Sequence, residues 1–364
     1  MADPVIEISG VWLPNKGAEL MAHTVVAELG KRLPGARFAS TPQGPQEARD
    51  AIGMTGIVER DRKLQPKGLE RYLPFGRKRV SHVIDISGFA YGDFWGVKKA
   101  RDRAGAHIRA GRPTYLLPQA FGPFKDDELA QEMRHILQGA RYFAARDLVS
   151  QAHLDALKAG KPIPLLPDIT MSLNISDRQV KTPAEPFGCL VLNAKTIEAG
   201  AATEDELMSL YTRVAQTMRD AGAQPVIVLH EPVGDRPMSE RLAKAAGGLP
   251  IVDLPDARDI KAFIARARIV VTGRFHGLVN GLAGGVPSFA VSWSHKYGEL
   301  LSDFGRPDAS YKGDADDFIR RIAEELAAPD GAQAEKTRLA AVAAEKKAAL
   351  GALWDHLAKD ITRG

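Results

Sequence analysis

Cysteine is nearly missing from this chain of 364 residues: the single thiol, Cys189, has no partner for an intramolecular disulfide. A disulfide scaffold is therefore excluded, and a reducing compartment is the expected setting. No Cys/His cluster has the spacing of a zinc site, so neither a structural zinc module nor a metal requirement is expected. A long hydrophobic run is missing too. The uncharged stretch Phe275 to His295 is long enough by count to span a bilayer, but Gly, Pro, Ser, Asn and His interrupt it, and it reads as buried core. The opening residues, Met1 to Glu7, show neither a basic n-region nor an apolar h-region, so no signal peptide is expected and the cytoplasm is the expected compartment. Charge of one sign is also scarce. Forty-nine Lys and Arg against 45 Asp and Glu leave a formal charge of +4. The basic residues are scattered apart from Arg77-Lys78-Arg79 and Lys98-Lys99 with Arg101 and Arg103, which read either as solvated faces or as contacts with anionic partners. With no basic stripe interleaved with aromatics, nucleic acid is not an expected partner.

What the chain does have is a regular alternation. Short, β-branched apolar runs at Val5–Ile8, Val83–Ile86, Thr114–Leu117 and Tyr142–Ala144 are separated by segments of helical period. The pattern continues at Leu190–Leu192, Val226–Leu229, Ile251–Asp253, Ile269–Val271 and Ser288–Val291. Near-continuous apolar strands alternating with helices predict parallel sheets covered on both faces, hence an α/β doubly wound architecture. Two sheets suit the length better than one, since a domain averages roughly 150 residues. The polar stretch Asn174 to Pro186 marks the boundary, dividing a first domain over 1–175 from a second over 185–330. A Pro/Gly/Ala break over Pro329–Ala334 precedes a final amphipathic helix over 335–364. Its apolar face carries Leu339, Val342, Leu350, Leu353, Trp354, Leu357 and Ile361, interrupted by Lys346. Packing of this helix back on the first domain is one expectation, self-association the other.

The unusual polar and glycine clusters fall just beyond the predicted strands, where open parallel sheets bind ligands. Asn15-Lys16-Gly17 follows the first strand and opens a helix; it reads either as an anion-binding loop or as a tight turn with Asn15 as N-cap. Ser87 to Gly96 holds three glycines and four aromatics, a loop able to approach a ligand and close over it, or else a hydrophobic plug. Gly88 and Tyr91 lie in it, and Asp93 is a candidate for a hydroxyl contact or a base. Gln119 is the polar group of the two-proline exit after Leu117. Arg146 follows the next strand, as an anion fork or as half of an Arg–Asp pair, and Asp168 reads as a cap. Arg274 and His276 lie on one side of an extended segment between two glycines, a pairing suited to fixing an anion and moving a proton near neutral pH. Lys296 follows the next strand. Together Arg146, Arg274, His276 and Lys296 suit a small di- or trianionic ligand in a cleft between the domains.

In order along the chain, the motifs are Asn15-Lys16-Gly17-Ala18-Glu19, Ser87-Gly88 through Gly92-Asp93, Pro118-Gln119 and Gly122-Pro123-Phe124. They continue with Arg146-Asp147 and Ser150, Pro167-Asp168, Arg274-Phe275-His276-Gly277, and Gly285-Val286-Pro287 leading to Lys296. This succession resembles the polysaccharide pyruvyl transferases, from about Asn15 to Gly305. One departure is Ser87-Gly88-Phe89-Ala90, where paired glycines are common, and it bears on the shape of the acceptor side. The resemblance implies a GT-B-like fold of two Rossmann-like domains, acceptor on the first and donor on the second, with the active site in the interdomain cleft. It implies phosphoenolpyruvate as donor substrate with no further cofactor, a saccharide or lipid-linked saccharide as acceptor, and a pyruvate ketal and phosphate as products. Peripheral association with the inner face of the membrane would follow from a lipid-linked acceptor.

By the same resemblance Arg274, His276 and Arg146 are active-site residues. His276 is the expected proton shuttle, Arg274 and Arg146 with Lys296 hold the donor, and Asp93 accepts a proton from the acceptor. Asn15, Lys16, Gly17, Gly88, Tyr91 and Gln119 form the expected acceptor or anion loops. Two other classes remain open on the sequence. One is a nucleotide-sugar glycosyltransferase or epimerase of the same architecture, which should bind a nucleoside diphosphate. The other is a non-catalytic carbohydrate-binding or scaffolding member.

Overall fold

The structure, a computed structural model, describes residues 3–41, 45–54, 56–57, 80–183 and 186–363. The basic cluster Arg77-Lys78-Arg79 lies outside the described residues. Two compact units emerge. The first comprises Met1–Leu13, Met21–Leu173 and Ala349–Gly364, the second Pro14–Leu20 and Asn174–Ala348. The chain crosses from one to the other at the start of the polar stretch Asn174–Pro186. Two pieces depart from a linear division: Pro14–Leu20 clusters with the second unit, and the chain's end with the first.

In the first unit the strands are β1 (Val5–Ser9), β2 (Arg37–Ser40), β3 (Gly56–Ile57), β4 (His82–Asp85), β5 (Phe89–Tyr91), β6 (Thr114–Phe121) and β7 (Tyr142–Ala145). They form one parallel sheet in the order β3-β2-β1-β4-β6-β5, with β7 also on β6. Ile8 lies opposite Ile84, and Ile84 opposite Tyr115. β1 is buried along its whole length, as a strand covered on both faces must be. Two strands here carry no clear apolar run: β2, short and opened by exposed Arg37, and β5, which the glycine spacing had marked as loop. β5 forms because Ala90 and Tyr91 pack into the core with Phe121 and Leu129, its aromatics serving as sheet filling. The stretch before Asp168 contributes a single parallel bridge, Leu165 to Ala145.

The second unit holds β8 (Phe187–Val191), β9 (Gln224–Val228), β10 (Ile251–Val252), β11 (Ile269–Thr272) and β12 (Ser288–Ala290). All are parallel, in the order β10-β9-β8-β11-β12. Its core joins Phe187, Cys189, Val191, Val226, Val228, Phe263 and Val270. Burial pushes the Cys189 thiol well above its ordinary range, so it acts as a small hydrophobe. Both strand orders reverse direction beside their first strand, at β1/β4 and at β8/β11. A parallel sheet leaves a crevice at such a switch point. No helix among the described residues is long and apolar enough to cross a membrane.

The last helix runs from Pro329 to Arg363, so the break expected over Pro329–Ala334 is absent. Proline is compatible with a first helical turn, where its missing N–H costs nothing, and here it starts the helix. At the far end Trp354, Leu357 and Ile361 are buried within the first unit. The Trp354 indole donates to Ser172 Oγ at 3.0 Å, and Asp360 accepts from the Tyr115 hydroxyl at 2.6 Å and from Arg141 at 3.0 Å. Replacing the fully buried Trp354 by alanine should destabilise the first unit by about 3–5 kcal/mol. Trp354→Phe, which keeps most of the volume and loses the indole bond, should cost about 1 kcal/mol beyond any packing change. Urea titrations followed by far-ultraviolet circular dichroism will read both.

Candidate active site

At the switch point of the second sheet, Asn193 follows β8 and Arg274 follows β11. Gly273 locks them together. Its N–H donates to Val191 O at 2.7 Å, and its carbonyl accepts from Asn193 Nδ2 and from the Tyr297 hydroxyl, both at 2.8 Å. A Cβ on Gly273 would lie 3.0 Å from that of Asn193, a tight contact that glycine avoids. The Thr272 hydroxyl accepts from the Arg274 N–H at 2.9 Å and donates to its carbonyl at 2.9 Å. That clamp turns the chain into a helix over Phe275–Ala283, with Arg274 as N-cap. Arg274 and His276 thus do not share a side of an extended segment. His276 sits in the first helical turn, because the small Gly277 and Gly281 let this helix lie close on β11.

The Arg274 side chain is buried and held by two carboxylates. Its Nε and Nη2 donate to Asp235 at 2.8 and 2.5 Å, and its Nη1 donates to Glu231 at 2.6 Å. Burial works against the guanidinium charge, but Asp235 and Glu231 outweigh it and keep Arg274 protonated more firmly than usual. Burial also lifts the Asp235 carboxyl above its ordinary range, against the pull of Arg274. Glu231 and Asp235 stand four residues apart at the opening of the helix Pro232–Ala245, a spacing that puts both on one face.

The glycine loop expected as an anion cradle meets the same corner. A Cβ on Gly17 would come within 2.6 Å of His276 Cγ, so the imidazole lies directly against the Gly17 backbone. Asn15 is the N-cap: its Oδ1 accepts from Gly17 N at 2.9 Å and Ala18 N at 3.3 Å. Lys16 N–H donates to His230 O at 3.2 Å, and Glu19 N–H to Asn15 O at 3.0 Å. Protein acceptors thus take up the first helical N–H groups, and the capping reading replaces the anion loop. The Lys16 ammonium is likewise engaged, by Glu19 at 2.6 Å and by the Pro255 carbonyl. Lys296, buried in the first turn of the helix His295–Asp303, has Nζ 4.8 Å from the Trp293 ring centre and 5.4 Å from that of Phe275. Phe275 in turn packs edge-on against His276, ring centres 5.6 Å apart. Asn15, Gly17, Arg274, His276 and Lys296 therefore gather at one corner.

The first unit's carboxyl edge has its own network. Arg146 Nη1 donates to Asp168 at 2.7 Å, its Nη2 to Gly88 O at 3.4 Å, and its backbone N–H to Gln119 O at 3.1 Å. Asp168 also accepts from the Thr170 N–H and hydroxyl, at 3.0 and 2.6 Å, so it is both the cap and the arginine's partner. Buried Asp85 accepts from Tyr91 OH at 2.9 Å, Ser87 N–H at 3.0 Å and Gln119 Nε2 at 3.3 Å. Burial and the adjacent Asp85 push the Tyr91 phenol well above its ordinary range. Gly88, Tyr91, Gln119 and Arg146 thus come together. Asp93 does not join them: its carboxylate accepts from Lys125 N–H at 3.0 Å and Asp126 N–H at 3.3 Å, tying down the loop before the helix Asp127–Gly139. A carboxylate that accepts from two backbone N–H groups is a loop anchor, in place of the expected base. The cluster Lys98-Lys99 with Arg101 and Arg103 is paired locally, with Lys98 on Asp102, Lys99 over the Trp95 ring, Arg101 on Glu128 and Arg103 on Ser87.

The profile of the family described as polysaccharide pyruvyl transferase matches residues 15–295. The chain belongs to that family. No curated protein matches the sequence significantly. Among solved structures, the putative UDP-N-acetylglucosamine 2-epimerase of Listeria monocytogenes superposes with a TM-score of 0.64 at 11% identity, over 98% of both chains. The UDP-GlcNAc 2-epimerase of Neisseria meningitidis, bound to UDP-GlcNAc, gives 0.57 at 9% identity over 95% of this chain and 99% of its own. A spinosyn rhamnosyltransferase complexed with thymidine diphosphate gives 0.54 at 15% identity over 96% of each. These likenesses establish the fold: two Rossmann-like units of the GT-B class.

The family match takes in the corner from Asn15 to His295, and Lys296 follows it directly. Two residues of this pyruvyl transferase family member escaped the sequence reading. Asp235 was visible only as a carboxylate four residues beyond Glu231. Asp85 was hidden inside an apolar strand, where a buried carboxylate marks a hydrogen-bond hub. Gly17→Ala should displace the His276 ring and lower turnover while changing the unfolding free energy by no more than about 1 kcal/mol. A steady-state assay beside a urea titration will separate the two.

Buried His230, next to His276 in charge terms, supplies a pH signature. Burial, then the nearby His276 and Arg274, push its imidazole well below the ordinary range, so it stays neutral when folded. Unfolded, it takes up a proton below about pH 6.5. Stability should therefore fall by up to about 1.4 kcal/mol per pH unit below that point. His230→Phe should flatten the acid limb between roughly pH 6.5 and 5 in urea titrations across that range.

Proposed function

We propose that this chain transfers the pyruvyl group of phosphoenolpyruvate to a saccharide, as a ketal across two of its hydroxyls. The observation that carries the reading is the corner of the second unit where a carboxylate-anchored Arg274, a half-buried His276 against Gly17, and a buried Lys296 converge within the stretch matched by the family. Phosphoenolpyruvate brings a carboxylate and a phosphate. Arg274 offers its Nη1 edge to one, and Lys296 a point charge to the other. His276 donates a proton to the methylene carbon, which becomes the methyl group and leaves positive charge on the adjacent carbon. A saccharide hydroxyl adds there and gives up its proton, restoring the histidine. Cleavage of the carbon–oxygen bond to phosphate and addition of a second hydroxyl, whose proton leaves on the phosphate, then close the ketal, so phosphoenolpyruvate and a diol give a cyclic ketal and hydrogen phosphate.

Calorimetric titration with phosphoenolpyruvate, against uridine and thymidine diphosphates, tests the donor. Binding of phosphoenolpyruvate alone is expected, and it should be lost in Arg274→Ala. His276→Ala should still bind it while turnover drops by roughly 10²–10⁴. Tight diphosphate binding without phosphoenolpyruvate would instead establish a nucleotide-sugar enzyme, and unchanged turnover in His276→Ala would remove the histidine from the proton path.

A further inference from the structure

The guanidinium read above as the donor's anion contact is already occupied. One positive charge faces two carboxylates, Asp235 across Nε and Nη2 and Glu231 on Nη1. An incoming carboxylate or phosphate would find the guanidinium charge already matched and this N–H edge taken. The two carboxylates differ in how they are held. Asp235 is 1% exposed, grips the guanidinium with both oxygens, and is fixed further by the Ala194 N–H at 3.1 Å. Glu231 is 19% exposed and bonds the guanidinium through Oε2 alone, which also receives a long 3.5 Å contact from Asn15 Nδ2. Although Glu231 occupies the N-cap position of its helix, its side chain makes no capping bond to that helix. Asp235 is built to stay and Glu231 is free to turn outward.

From this we infer that Glu231 is an internal substitute for the donor anion. It sits on Arg274 Nη1, gives way when the donor's anionic group arrives, and returns to help expel phosphate. Asp235 is the positioning residue that keeps the guanidinium aimed throughout. The arrangement selects for ligands that can replace a carboxylate on a guanidinium edge and disfavours neutral ones. It also keeps the Nη1 edge of a buried arginine hydrogen-bonded between turnovers. The inference rests on the proposed placing of phosphoenolpyruvate at Arg274.

The test compares Glu231→Gln, Glu231→Ala and Asp235→Asn with the parent, each checked by circular dichroism, using phosphoenolpyruvate and inorganic phosphate as calorimetric probes. Removing the competing charge should tighten phosphoenolpyruvate binding about tenfold in either Glu231 variant, whereas Asp235→Asn should weaken it. Mere structural damage does not tighten a ligand. Equal or weaker binding in both Glu231 variants, with the parent binding normally, would overturn the inference and leave the donor reading standing. The rate at which phenylglyoxal modifies Arg274, followed by peptide mass spectrometry, needs no donor. It should rise several-fold when Glu231 is replaced. If the parent binds no phosphoenolpyruvate, the donor reading falls and the inference falls with it; if the parent binds it and the modification rate is unchanged in both variants, the inference alone is overturned.

Discussion

A guanidinium can be buried only where its charge is matched, and that constraint organises the second unit around Arg274. The carboxylates that match it come from the start of a single helix, so β9, which leads into that helix, must lie near β11, which delivers the arginine. The strand order places β8 between them, and β8 contributes Asn193, which ties the Gly273 carbonyl to the same corner. Leaving one member of such a set unmatched would cost several kcal/mol, roughly 3–5 by comparison with other buried pairs. The sheet order, the close glycine approach and the helix start are therefore mutually required. Each alone is ordinary.

The first unit solves a related problem with the same means. There too an arginine follows a strand and is neutralised by an aspartate from a nearby chain segment, Arg146 on Asp168. At its switch point Gly10 approaches Ser87, where an added Cβ would sit 2.8 Å from the Ser87 Cα, much as Gly273 approaches Asn193 in the second. The recurrence is a consequence of parallel topology. Strand ends at a reversal come close, only small residues fit there, and the polar groups displaced from the crossing must find partners within one or two residues.

Legibility in the sequence followed from the kind of interaction involved. Strands buried on both faces, such as Val5–Ile8 and Ile269–Val271, announce themselves by composition, because burial alone selects β-branched residues. The C-terminal helix, with its stripe through Leu350, Leu353 and Leu357, did the same. β2 and β5 were obscure because their formation depends on tertiary partners, on β1 for the one and on the Phe121 cluster for the other. Among the site residues, Asn15 was readable as a cap because capping is local chemistry. Gly17, Arg274 and His276 stood out individually, yet their meeting depends on a contact more than 250 positions apart, which no local pattern encodes. Asp93 shows the converse. A carboxylate in a glycine-rich loop looks like a base, and only the position of the Lys125 and Asp126 N–H groups reveals it as an anchor.

The fold itself is neutral on chemistry. Epimerases and a rhamnosyltransferase share it at identities of 9–15%, so the shared frame does not determine the chemistry done on it. What separates one chemistry from another is the set of side chains mounted on those ends. A nucleotide-sugar enzyme must neutralise a diphosphate that it keeps hold of, which favours open helix N–H groups and uncommitted cations. In this chain the N–H groups at the start of the Lys16–Arg32 helix are consumed by Asn15 and His230, Lys16 is bound to Glu19, and Arg274 is half-shielded by an exchangeable carboxylate. These commitments are made by side chains and not by the shared frame, and it is on them that the proposed reading rests.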